Sequence, residues 1–187
     1  ITQLYNRTLH SDDDVITLLI GTNDIIQKTD LDNAMTRLEE LIKKMYNQTD
    51  KTKPMFVANI PNFNHTNTSN NKVISEQWFT NSNAHKSAIN GMSNQEIETY
   101  INGLIKTYND QIPALISKLQ AGEYGYNIHF VDINSKVNKD TDLYDGCHPN
   151  VSGSTNIAKA FASAINSYYQ QSSKIGEITL TKDDGWV

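Results

Sequence analysis

The chain has 187 residues, of which 37% are hydrophobic and 20% are charged, and its formal net charge is −5 at pH 7. These values are ordinary for one globular domain. The mild negative charge and the absence of a Lys/Arg cluster argue against nucleic acid or a membrane surface as a partner, and no apolar run approaches the 18 residues of a membrane-spanning helix. The single cysteine, Cys147, excludes an internal disulfide and a cysteine-based zinc site.

Strand and helix patterns alternate along the first part of the chain. Residues 1–9 have the spacing of a helix end. Residues 15–20 form a continuous, partly β-branched apolar run, which predicts a buried strand. Thr29 and Asp32 then make a capping box, which predicts a helix with an apolar stripe. Residues 54–60 predict a second buried strand.

Residues 62–92 are rich in Asn, Ser and Thr and are too long for an ordinary connection, so we interpret them as a functional lid or a mobile segment. In this segment Trp78 could stack on a sugar ring, with packing against the body of the domain as the alternative. His65 and His85 have no carboxylate partners at a recognisable spacing. The sequence therefore predicts no metal and no other cofactor.

The second part of the chain continues the alternation. Ser93 and Glu96 make a capping box that opens a long helix, which Pro113 is expected to kink or restart. A third strand is predicted at 128–131 and a last helix at roughly 151–170. The alternation predicts an α/β fold with a parallel sheet.

We divide the chain into one α/β domain, residues 1–172, and a C-terminal tail, residues 173–187. The tail contains a short alternating stretch at 177–181. This stretch is a candidate edge strand, and the start of a linker to another module is the alternative.

Two short motifs stand where α/β proteins place their chemistry. Gly-Thr-Asn-Asp at 21–24 follows the first strand, at the carboxyl end where open α/β sheets bind ligands, and an Asn there can donate to an oxyanion. Asp145 and His148 precede the last helix, with Pro149 fixing the backbone and Asn150 placed to cap that helix. A carboxylate this close to an imidazole can hold the tautomer that takes a proton from a hydroxyl nucleophile.

The two motifs together resemble the SGNH (GDSL-type) hydrolase family, whose third and fifth motif blocks have this form. The resemblance implies a flavodoxin-like, three-layer α/β/α fold with a parallel sheet. It also implies that Asn23 belongs to the oxyanion hole, that His148 is the general base and that Asp145 orients His148. Asp132, at the end of the third strand, is the alternative partner for the imidazole.

The family's nucleophilic Ser belongs to an N-terminal Gly-Asp-Ser block, and a Gly of the next block supplies another oxyanion N–H. Neither block occurs in this chain, and no Gly-x-Ser-x-Gly motif occurs either. The first strands of the family's sheet are also expected to be missing, which would leave the apolar strand at 15–20 as an edge. We therefore expect an upstream segment or a second chain to complete the fold. Cys147, beside the base, is interpreted as a small buried filler.

The motifs resemble carbohydrate esterases of the acetylxylan esterase type, which remove acetyl groups from plant polysaccharides. Lipases, lysophospholipases and thioesterases of the same family are the competing classes. Tyr144 and Trp78 are the candidate substrate contacts, and the Asn-, Ser-, Thr- and Tyr-rich composition favours a secreted protein. Two further classes stay open, namely a catalytically incomplete carbohydrate-binding module and a nucleotide binder, although no glycine-rich phosphate loop follows a strand.

Overall fold

The computed structural model describes residues 14–27, 31–48, 52–66, 83–123 and 125–171. The helix end predicted at residues 1–9, the aromatic side chain of Trp78 and the tail at 173–187 lie outside these ranges. The division into a domain and a tail stays a prediction.

A parallel sheet forms the centre of the fold, in the order β1-β2-β3, with strands at Ile16–Leu18, Met55–Ala58 and Ile128–Val131. The register places Met55 between Ile16 and Ile128. This confirms the predicted parallel sheet, although the first two strands are shorter than their apolar runs. Side chains from a helix bond the backbone beyond those strands: the Tyr108 hydroxyl donates to Ile20 O at 3.2 Å, and the Asn109 amide bonds Ile60 N and O.

The helices of the described ranges are α1, Thr22–Gln27, α2, Leu31–Gln48, α3, Asn83–Lys86, α4, Asn94–Ala121, and α5, Val151–Gln171. The short α3 lies in the segment that was predicted without regular structure. None of these helices is long and apolar enough to cross a membrane.

Helix α4 begins at the predicted capping box, where Ser93 N donates to Glu96 Oε2 at 2.8 Å and Glu96 N donates to Ser93 Oγ at 3.4 Å. The helix runs through Pro113 without restarting. Proline removes one backbone donor, while Ile112 and Ile116 on either side of it stay buried in the core. Packing therefore holds the helix together across this position.

Helices cover both faces of the sheet, which gives the predicted three layers. Helices α2 and α4 pack on one face, and the core between them and the sheet is almost fully inaccessible to water. This core includes Ile16, Leu18, Leu38, Ile42, Met55, Val57, Ile101, Ile105, Tyr108 and Ile128. Helix α5 packs on the other face, over a smaller core of Phe56, Ala58, Val131, Ile133, Val137 and Leu143. The apolar side chains of α5 itself are only half-buried: Ile157, Ala160, Phe161, Ala164 and Ile165.

Strand β1 lies at an edge of the sheet and pairs with β2 within the part of the chain that the structure describes. On the α5 face of this strand Thr17 is exposed, and Val15 and Leu19 are half-buried. The apolar run at 15–20 is therefore an edge strand there, as the sequence predicts.

Candidate active site

The carboxyl ends of the strands lead to the segments that carry the predicted site residues. Strand β1 leads to α1, which carries Asn23, and β3 leads to a connection that carries Asp145 and His148. Segment 59–66 follows β2 and lies between them in the order of the sheet. Because neighbouring strands lie about 4.8 Å apart, the ends of β1 and β3 are about 10 Å apart.

Asp145 and His148 form a hydrogen-bonded pair in one tight turn. The Nδ1 atom of His148 lies 2.7 Å from Asp145 Oδ2. The other carboxylate oxygen accepts from the backbone N–H groups of Cys147 at 3.0 Å and His148 at 2.7 Å. The Asp145 side chain is 9% exposed and that of His148 is 59% exposed. The carboxylate is thus enclosed while the imidazole faces outward.

The hydrogen bonds keep Asp145 ionised. Burial raises the pKa of this carboxyl group, but the hydrogen bonds from His148 and Cys147 bring the pKa below its usual value. An ionised carboxylate beside Nδ1 keeps the proton on that nitrogen and leaves the lone pair on Nε2. Nε2 is then the atom suited to take a proton from a nucleophile.

The turn that carries the pair is held against the segment after β2. Gly146 has a φ of 83°, and its carbonyl oxygen accepts from Asn64 N at 2.8 Å. A Cβ at position 146 would overlap with the backbone oxygen of Asn64, so this close approach requires glycine. Across the turn, Tyr144 N donates to His148 O at 2.7 Å. The sequence analysis missed Asn64, because its partner Gly146 lies far along the chain and no local pattern links the two residues.

The first turn of α5 fixes the other end of this connection. Asn150 caps the helix as predicted, because its Oδ1 accepts from Gly153 N at 3.0 Å while its Nδ2 donates to Thr141 O at 2.8 Å. The buried Asp142 accepts from Ser152 Oγ at 2.8 Å and from Asn156 Nδ2 at 2.9 Å. Asp142 was also missed, because its partners on α5 are recognisable only in the fold.

Asn23 is exposed in the first turn of α1. Gly21 before it has a φ of 123°, and a Cβ there would overlap with the ring of Tyr108. The guanidinium of Arg37 pairs with Asp24 at 2.9 Å, which gives Asp24 a structural role. The turn after β1 therefore places Asn23 at the carboxyl end of the sheet.

Two further residues lie in the turn at 144–148, which carries Asp145 and His148, and their environments differ. The Tyr144 side chain is 63% exposed beside the pair, where a substrate could contact it. Burial raises the pKa of the Cys147 thiol to about 12, so this thiol is protonated at neutral pH. The protonated, enclosed thiol agrees with the interpretation of Cys147 as a filler.

Asp132, the alternative acid, and His129, in the middle of β3, form hydrogen bonds with residues other than His148. Asp132 Oδ1 accepts from Asn59 Nδ2 at 2.8 Å and from Ser135 N at 3.2 Å, whereas Asp145 contacts His148. His129 Nε2 lies 2.8 Å from Asn127 Oδ1, and burial lowers the pKa of this imidazole. The geometry therefore favours Asp145 over Asp132 as the partner of His148.

The histidine of α3 has a structural environment. His85 is buried, with Nε2 2.7 Å from Ile25 O and Nδ1 3.3 Å from the Tyr100 hydroxyl. Burial lowers the pKa of His85, so the neutral ring links α3 to α1. Among the residues that the structure describes, no group of three His, Cys, Asp or Glu side chains could hold a metal ion.

Comparison with known proteins finds similarity to esterases. The chain is 27% identical over 159 residues to a multidomain esterase of Ruminococcus flavefaciens, a match that covers 85% of this chain and 16% of that protein. Two solved structures have TM-scores of 0.54 and identities of 16%: a serine-to-alanine mutant of an acetyl esterase with an acetate ion, and a carbohydrate esterase family 3 protein from Talaromyces cellulolyticus. Each match covers 86% of this chain, and the chain spans 60% and 61% of those structures. At these identities the two structures support the α/β fold.

The model of the GDSL-like lipase/acylhydrolase family matches residues 1–161. This range includes β1, the turn with Asn23, and the Asp145–His148 pair. The chain therefore belongs to the family of GDSL-like lipases and acylhydrolases.

Proposed function

We propose that this chain carries the base, the orienting acid and an oxyanion donor of a serine ester hydrolase that deacetylates carbohydrate. The observation that carries the proposal is the 2.7 Å contact between His148 Nδ1 and Asp145 Oδ2, with the imidazole exposed. An imidazole that is fixed in this way and 59% exposed has the geometry of a general base.

In the proposed reaction, His148 Nε2 takes the proton from a serine hydroxyl as the serine oxygen attacks the ester carbonyl. The imidazolium then gives that proton to the leaving alcohol, and Asp145 stabilises its charge. Asn23 donates its amide N–H to the oxyanion of the tetrahedral intermediate. A water molecule, activated by the same imidazole, hydrolyses the acyl-enzyme and releases the carboxylic acid.

We place the nucleophilic serine in a polypeptide segment outside these 187 residues, because no Gly-Asp-Ser motif occurs within them. Two features near β1 support this assignment. The free edge of β1 in the described sheet can accept another strand, and Thr17 is exposed on the α5 face. A segment pairing there would lie next to the turn that carries Asn23.

The substrate we propose is an acetylated plant polysaccharide or an oligosaccharide derived from it, and we place the enzyme outside the cell, where such polymers occur. Two similar structures have names that refer to an acetyl esterase and a carbohydrate esterase. The exposed ring of Tyr144 beside His148 offers a surface for a sugar. Trp78 stays a second candidate contact. Lipase, lysophospholipase or thioesterase activity is the alternative within the family.

A fluorophosphonate probe tests the proposal by locating the nucleophile. The purified protein is labelled, and intact-mass and peptide-mass spectra show which polypeptide carries the label. We expect the label on a serine of a Gly-Asp-Ser motif in a longer or co-purifying polypeptide. We also expect His148→Ala to lower acetate release from acetylated xylan at least about 10³-fold, and Asn23→Ala to lower it about 10²- to 10³-fold.

The control variant is Thr155→Ala, one turn into α5 on its exposed side, which should retain wild-type activity. Full activity of His148→Ala would refute the assignment of the base. A second function is favoured by the absence of Gly-Asp-Ser, namely a carbohydrate-binding module without activity. An unlabelled protein that binds xylan in calorimetry, equally well with His148→Ala, would establish this alternative.

A further inference from the structure

Helix α4 presents a row of polar side chains to the segment after β2. The Asn109 amide bonds Ile60 N at 3.0 Å and Ile60 O at 2.9 Å. About two turns earlier in the same helix, the Asn102 amide bonds Phe63 N at 2.8 Å and Phe63 O at 2.9 Å. Each side-chain amide thereby satisfies a donor and an acceptor, as a neighbouring strand would.

Glu98 continues this row with a carboxylate. Its Oε2 accepts from His65 N at 2.8 Å, from Thr66 N at 3.1 Å and from Thr66 Oγ1 at 3.2 Å. Its Oε1 pairs with Lys139 Nζ at 3.0 Å, and the Glu98 residue is 5% exposed. Both carboxylate oxygens are therefore used, and they are used by different parts of the chain.

These contacts make Glu98 the junction of two supports of the turn at 144–148, which carries Asp145 and His148. The first support is Asn64, which contacts Gly146 through its backbone and adjoins the residues that bond Glu98. The second is the turn at 138–142, which leads directly into the connection that carries the pair. Lys139 also contacts Asp140 Oδ1 at 2.6 Å, and the same oxygen accepts from Asn64 Nδ2 at 2.8 Å. The two supports and Glu98 thus form one closed network.

The charge of Glu98 suits this role. Burial raises the pKa of the carboxyl group, but the hydrogen bonds from Lys139 and Thr66 lower it by more. The pKa of Glu98 therefore lies below its usual value. An ionised carboxylate can accept on both oxygens at once, whereas a glutamine can accept on one.

We propose that Glu98 is a positioning residue for His148, which it holds in place by joining the Asn64 segment to the turn at 138–142. The carboxylate lies on α4 and acts through these two supports on the turn at Gly146. Its effect on turnover rests on the proposed function, whereas its effect on the geometry of His148 can be measured without any ester hydrolysis.

The test variant is Glu98→Gln, which keeps the size of the side chain and places an amide N–H against either Lys139 or the N–H groups of residues 65 and 66. The matched control is Glu96→Gln, which removes a carboxylate on the same helix that bonds Ser93 instead. The readouts are the His148 tautomer, from long-range proton–nitrogen correlation spectra of the full chain, and the kinetics of the assembly that contains the serine.

We expect the wild type and Glu96→Gln to show His148 protonated on Nδ1, and Glu98→Gln to show a mixture of tautomers. We expect kcat to fall roughly 10- to 100-fold in Glu98→Gln, with KM within about twofold, because misplacement of the base acts on the chemical step. A wild-type tautomer and an unchanged kcat in Glu98→Gln would overturn the proposal.

If Glu98→Gln does not fold, Lys139→Met cuts the link to the second support at a partly exposed side chain. We then expect the same tautomer mixture with a smaller loss of kcat, roughly 3- to 10-fold. A wild-type spectrum and kcat in this variant would equally overturn the proposal. If the wild type hydrolyses no ester while the variant still changes the tautomer, the proposed function fails and the positioning role stands.

Discussion

The two faces of the sheet differ in how completely their helices are buried. On the α2 and α4 face, side chains such as Ile105 are inaccessible to water, whereas on the other face the apolar side chains of α5, such as Ile165, are half-buried. The N-terminal end of α5 is nevertheless fixed by polar contacts of Asn150 and Asp142. The comparison shows that this helix is held at the end nearest Asp145 and His148, and that its body has apolar surface left to bury.

The largest expected effect comes from truncating the core of the buried face. Ile105→Ala should lower the free energy of unfolding by about 2–5 kcal/mol, because it removes buried contacts and leaves a cavity. Ile165→Ala should cost less than half of that, since its side chain is already partly in contact with water. Urea unfolding of both variants measures the difference. Equal costs would show that the two faces are packed alike.

Added bulk at the fixed end of α5 should give the next largest effect. A Cβ at Gly153 would overlap with the backbone oxygen of Asp142, so Gly153→Ala should cost about 1–3 kcal/mol. The matched control is Gly103→Ala in α4, where a Cβ meets nothing within 4 Å. That change should stabilise the helix by about 0.5–1 kcal/mol. Thermal unfolding of both variants checks whether the two shifts have opposite signs.

Loss of the helix cap should have a smaller effect. Asn150→Ala removes the acceptor for Gly153 N and should cost about 1 kcal/mol. Thr155→Ala, further along the exposed side of α5, serves as the control in the same denaturant titration and should change stability by less than about 0.5 kcal/mol. A cost for Asn150→Ala no larger than that of the control would mean that the polar contacts do not hold this end.

Acid should loosen the same end of α5. The hydrogen bond from Asn138 N lowers the pKa of Asp142 below its usual value, and the pKa of Asp145 is lowered as well. A folded-state pKa below the unfolded value gives stability that is present above the unfolded pKa and is lost as the pH falls through the folded one. The two carboxylates should therefore make the free energy of unfolding fall below about pH 4. A separate, earlier fall should begin near the usual histidine pKa of about 6.5, because burial also lowers the pKa of His85 and of His129.

The variant Asp145→Asn should make this acid slope shallower, because one of the titrating groups is removed. Denaturant titrations at a series of pH values provide the measurement. The same slope in the variant and in the wild type would mean that Asp145 does not contribute to the pH dependence.

Local features of the site were predictable from the sequence, and distant ones were not. The buried strands, the Ser93 capping box and the pairing of Asp145 with His148 depend on residues a few positions apart. Asn64 and Glu98 act through partners far along the chain, so no local pattern indicates their roles. Helix α3 was missed because four residues are too few to show a helical period.

The polar row on α4 also has a consequence for local stability. Ile60 N and Phe63 N, in a segment without regular secondary structure, donate to the side chains of Asn109 and Asn102 on the long helix α4. Their amide protons can exchange with solvent only when the segment separates from α4. In a hydrogen–deuterium exchange experiment this connection should therefore be protected like a strand, and its opening should follow the opening of α4.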